Sequence, residues 1–63
     1  MTEIRYFGTG KKYYFRNNEY LGWAYNNAPR GEYNSAVPGE APGDEVDGRD
    51  LGPAEVEMWP FGG

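Results

Sequence analysis

The stretch KKYYFRNNEYLGWAYNN, residues 11–27, decides how this chain folds. Tyr13-Tyr14-Phe15 before its centre, and Tyr20-Leu21 with Trp23 and Tyr25 after it, are strong strand formers, because aromatic side chains suit the pleated, half-buried surface of a sheet. Asn17-Asn18 separates the two runs, and asparagine tolerates the left-handed backbone that a two-residue hairpin turn requires. Such a turn pairs Arg16 with Glu19, Phe15 with Tyr20, Tyr14 with Leu21 and Lys12 with Trp23. The first pair joins opposite charges. The next two join apolar or aromatic side chains, at about 0.2–1 kcal/mol each.

Working outward toward the N-terminus, Glu3-Ile4-Arg5-Tyr6-Phe7 reads as a third strand. Gly8-Thr9-Gly10 forms a flexible connection that returns the chain beside residues 11–16. Three antiparallel strands are near the minimum for independent stability. Their two-residue period predicts Tyr14, Leu21, Trp23 and Tyr25 on one face, with Tyr13, Phe15, Tyr20, Gly22 and Ala24 on the other. Three strands alone bury neither face. The C-terminal arm is expected to cover one, leaving the other for a partner or a second copy.

Toward the C-terminus the pattern breaks. Between Asn26 and Gly52 the turn signals Asn27-Ala28-Pro29-Arg30-Gly31, Val37-Pro38-Gly39, Ala41-Pro42-Gly43 and Asp47-Gly48 follow one another with no regular element between them. Glu55-Val56-Glu57-Met58-Trp59 reads as extended, with Val56 and Met58 on one side. A short helix opening near Asp50 is the alternative, but Trp59-Pro60 leaves it almost no length. The apolar ending Met58-Trp59-Pro60-Phe61 either folds back over the hairpin or docks Trp59 and Phe61 into a partner. The expected architecture is small and mostly β. A two- to three-stranded antiparallel meander occupies residues 1–27, and a long irregular Gly/Pro-rich acidic arm with an apolar terminal cluster occupies residues 28–63.

Composition limits what such a chain can do. Sixty-three residues make at most one domain, and chains this small usually need a disulfide, a metal or a partner for stability. Cys and His are both absent, which removes disulfides, thiolate clusters and imidazole ligation and makes assembly the expected staple. Ten Gly and five Pro argue for disorder, whereas eleven aromatic residues argue for a folded part. Eight of those eleven lie between Tyr6 and Tyr25. Charge divides the same way: residues 1–32 carry +2 and residues 33–63 carry −6, giving the total of −4. The first seven residues lack the apolar run of a secretory signal, and no stretch is apolar enough to span a bilayer. A cytoplasmic protein without membrane contact is therefore expected.

Catalysis finds little support. With no Cys or His, one Ser at Ser35 and Thr only at Thr2 and Thr9, no nucleophile has an evident base. Gly8-Thr9-Gly10-Lys11 lacks the spacing and following helix of a phosphate-binding loop. Residues 44–50 lack the twelve-residue register of a calcium loop. No cofactor or metal is expected. The chain instead reads as a non-catalytic accessory subunit or small inhibitor that docks on a larger protein or complex through its aromatic hairpin and acidic arm, which favours a basic partner surface. Tyr14, Trp23, Tyr25, Trp59 and Phe61 are the candidate contact residues, since Trp and Tyr dominate interface hot spots. A minor structural component of a virion or other large particle, with contacts between copies, is the alternative. A single-stranded nucleic-acid-binding hairpin is disfavoured by the net charge.

Overall fold

A computed structural model describes residues 1–46 and 51–61. Five strands form one antiparallel sheet: β1 (Thr2–Tyr6), β2 (Lys11–Arg16), β3 (Glu19–Tyr25), β4 (Asn34–Ser35) and β5 (Glu55–Trp59), in the spatial order β4-β3-β2-β1-β5. One 3-10 turn, Asp44–Val46, is the only helical element among the described residues. The expected meander forms as β1, β2 and β3. The arm, expected to be irregular apart from an extended segment at residues 55–59, instead adds a strand at each edge of the sheet, β5 at that segment and β4 where no element was expected. β5 pairs with β1 over its whole length, Thr2 opposite Trp59 and Tyr6 opposite Glu55. The turn signal Asp47-Gly48 lies outside the described residues.

The hairpin turn is the expected one. Asn17 and Asn18 both have positive φ, 51° and 63°, and Arg16 faces Glu19 with Phe15 facing Tyr20. Beyond that point the register departs from expectation. A bulge shifts β3 by one residue, so Tyr14 faces Gly22, Tyr13 faces Trp23 and Lys12 faces Ala24. Because side chains alternate faces, the one extra residue sends Trp23 and Tyr25 to the face opposite Tyr14. The expected grouping of Tyr14, Leu21, Trp23 and Tyr25 on one face is therefore corrected. Only Tyr14 and Leu21 stay together, Tyr14 in the main core cluster and Leu21 packed against it.

We call the Tyr14 side face A and the Tyr13 side face B. On face A, Ile4, Tyr14 and Ala24 form the buried core, with Tyr6, Leu21, Ala28, Tyr33 and Trp59 packed against it. The chain leaving β3 crosses this face before reaching β4. Tyr33 stacks on Tyr14 with ring centroids 4.5 Å apart, and Trp59 meets Tyr14 edge-on at 6.0 Å. Lys12 is 3% exposed, and its Nζ donates to the Ala28 carbonyl at 2.6 Å. Covering this lysine with the loop costs its hydration, and the carbonyl bond offsets part of that cost.

Two glycines make the cover close-fitting. A Cβ on Gly22 would lie 2.1 Å from the Asn34 carbonyl oxygen and 2.7 Å from the Tyr33 ring, and one on Gly31 would lie 2.9 Å from the Trp59 indole. Gly22, next to the bulge, thus stays bare because β4's backbone comes close to β3 there.

After β4 the chain turns onto face B through two consecutive turns, Val37–Glu40 and Ala41–Asp44. Each is closed by a backbone bond of 3.0 or 3.1 Å, with Pro second and Gly third at φ of 86° and 94°. That geometry is the type II turn, which Pro-Gly favours. They carry the 3-10 turn over the Tyr13 and Tyr20 rings.

Candidate functional site

Face B holds the features available for recognition. Its centre is an aromatic run: Phe7 meets Tyr13 edge-on at 5.4 Å, Tyr13 lies 6.2 Å from Tyr20, and Tyr20 lies 5.5 Å from Phe15. Arg5 lies over the Phe15 ring at 4.0 Å and is also held by the Glu3 carboxylate. Tyr13 is fully buried, and its hydroxyl donates to Glu45 Oε1 of the 3-10 turn. The Tyr20 hydroxyl and Glu45 Oε2 are buried without a hydrogen-bond partner among the described residues.

Electrostatics around these phenols is acidic. Burial, then the hydrogen bond and charge of Glu45, push the Tyr13 hydroxyl up to about 12. Burial, followed by the charges of Glu45, Glu40, Tyr13 and Asp44, raises Tyr20 as well. On face A, burial and then the Glu57 carboxylate raise Tyr6, whose hydroxyl donates to Glu57 Oε1 at 3.2 Å. Every one of these shifts keeps a phenol neutral, so none creates a base or nucleophile near neutral pH. Among the described residues no three acidic groups converge as a metal-binding cluster. An open groove of about 540 Å³ lies at the β1–β2 turn, lined by Tyr6, Phe7, Gly8, Asn26 and residues 53–55.

The five candidate contact residues separate into two groups. Tyr14 is fully buried and Trp59 half-buried, both within the face A core, where no partner reaches Tyr14 while the fold is intact. Trp23 and Tyr25 come together on face B, edge-on at 5.2 Å, with Lys11 Nζ 5.0 Å above the Trp23 ring. Tyr25 is 58% exposed, and Phe61, two residues past β5, is 91% exposed. The sequence reading did not single out Val56 and Met58 as contact residues. Both are more than half exposed on the face B side of β5, and their alternation with Glu55 and Glu57 was the available signal. Comparison with family models, curated proteins and solved structures finds no match to this chain.

Proposed function

We propose that this chain is a non-catalytic protein-binding subunit or small inhibitor that docks face B on a basic surface of a larger protein. The observation that supports this reading is the Trp23–Tyr25 pair, set on the same face as the Glu40, Asp44 and Glu45 carboxylates. An edge-on aromatic pair offers a large, rigid contact area at low entropy cost. Beside it, carboxylates on the acidic arm supply long-range attraction to a cationic partner and raise the rate of encounter. No described helix is long and apolar enough to cross a membrane.

A purified partner, obtained by photo-crosslinking from a probe at position 25, provides the test. Trp23→Ala with Tyr25→Ala should raise its dissociation constant by at least about tenfold, and added salt should weaken binding of the unaltered chain. A partner bound equally well by the double variant and in high salt would overturn this reading.

A further inference from the structure

We infer that β5 is a self-pairing edge, joining two copies of this chain in an antiparallel β5–β5 ladder about a two-fold axis at Glu57. The inference is independent of the Trp23–Tyr25 surface. β5 ends the sheet and runs for five residues, whereas the opposite edge, β4, runs for two. Among the described residues no strand pairs with the outer side of β5, so its backbone donors and acceptors form a template for another strand. Val56 and Met58, 56% and 52% exposed, lie on face B, and Glu55, Glu57 and Trp59 lie on face A.

Register selects the occupant. In an antiparallel ladder centred on Glu57, Val56 of each copy faces Met58 of the other, and all five strand residues are paired. Four half-exposed apolar side chains then form one strip on face B. Met1, 64% exposed, lines the same hollow as Met58 and Phe15 and extends the strip in both directions. Centring on Val56 would instead set Glu55 against Glu57 twice, which like charges disfavour. Centring on Met58 would draw in Pro60, which has no N–H to give to a ladder.

Acidic residues on an edge ordinarily guard against such pairing, and the chosen register places Glu57 opposite its own copy. The structure already answers that charge. Glu57 Oε1 is bonded by Arg30 Nη2 at 2.5 Å and by the Tyr6 hydroxyl, so each copy brings its own cation to the axis. Glu55 meets Trp59 of the other copy and no carboxylate. The ladder is isologous, as a two-fold dimer requires, and yields one continuous ten-stranded sheet. Its contact is small, which places the dimer at the weak end of the affinity range.

Sedimentation of the intact chain from about 10 µM to about 1 mM tests the inference, with the fold monitored by near-ultraviolet dichroism. A concentration-dependent dimer is expected. Met58→Lys should raise its dissociation constant by about tenfold or more. Arg30→Ala should weaken it by exposing the Glu57 pair, and Arg30→Ala with Glu57→Gln should restore it. The chain has no cysteine of its own, so register can be read directly. Equal amounts of Val56→Cys and Met58→Cys chains should oxidise mainly to the mixed 56–58 crosslink. A monomer throughout the range, a dimer indifferent to Met58→Lys and Arg30→Ala, or crosslinks at random among the positions would each overturn the inference. A chain that is monomeric alone yet binds another protein through Trp23 and Tyr25 would overturn it while leaving the proposed function standing.

Discussion

The two faces of this sheet are closed by one continuous stretch of chain, but by different physics. Residues 26–34 close face A by packing. Tyr33 stacks on Tyr14, Trp59 abuts it, and Gly22 and Gly31 let backbone press against backbone and ring. Residues 37–46 close face B by a polar tether, the Tyr13 hydroxyl held by Glu45, over rings that remain partly open at Trp23 and Tyr25. Apolar burial is the more stabilising arrangement per residue covered, and on face A the buried Lys12 ammonium is met by the Ala28 carbonyl. Face A is therefore expected to carry more of the stability, while face B leaves Tyr25 exposed and Trp23 half-buried for the partner proposed above. A small chain with one sheet can divide its faces in this way only because the chain crosses the β4 edge between them.

The largest effect should come from breaking face A at its centre. Tyr14→Ala removes a fully buried ring with two aromatic neighbours and should cost about 3–5 kcal/mol in chemical denaturation. A loss below about 1 kcal/mol would show that the stability lies elsewhere. Next is Gly22→Ala, which forces a methyl against the Asn34 carbonyl and should cost about 2–3 kcal/mol. Amide exchange at Asn34 and Ala36 should accelerate in the same variant, because β4 must lift away.

Face B is expected to yield less. Tyr13→Phe leaves Glu45 without its described donor and should cost about 1–2 kcal/mol. The same tether has a pH signature. With Tyr13 raised to about 12 in the folded chain and about 10 when unfolded, its contribution is intact below pH of about 10 and lost as pH climbs toward 12. Spectrophotometric titration should thus show Tyr13 ionising late. Glu45→Gln should bring that ionisation partway back, since burial, the larger cause, remains. The smallest effect on stability belongs to Trp23→Ala, about 1 kcal/mol or less, because the ring is only half-buried and lies outside the face A core. Stability lost there on the scale of Tyr14→Ala would erase the distinction between the faces.

Much of the architecture was legible because local chemistry dictated it. Asn17-Asn18 required the left-handed turn, the aromatic runs required strands, and Val-Pro-Gly and Ala-Pro-Gly required turns. The alternation in residues 55–59 gave an extended segment with Val56 and Met58 on one side. What failed was the hairpin register beyond Tyr20, and with it the placement of Trp23 and Tyr25. The feature beside the shift is non-local: β4, a dozen residues later, occupies the space a side chain at Gly22 would need. A lone glycine inside a strand was the visible trace of that contact. β4 itself, two residues long, has no pattern to read, and the partner of β5 could not be inferred from residues so far apart. Of the candidate contact residues, Tyr14 and Trp59 had the composition of a hot spot and the environment of a core. Residue type alone does not separate these roles.

The pairing of β1 with β5 has a consequence for how the chain reaches this state. Its partners are about 50 residues apart, while β2 and β3 meet across two. The hairpin can form within microseconds, whereas β1 must wait for the entire intervening chain before its outer side is covered. On a ribosome Ile4 and Tyr14 would emerge long before Trp59, and the core would close only once β5 has left the tunnel. Burial of the core therefore waits on a strand made about 50 residues after β1.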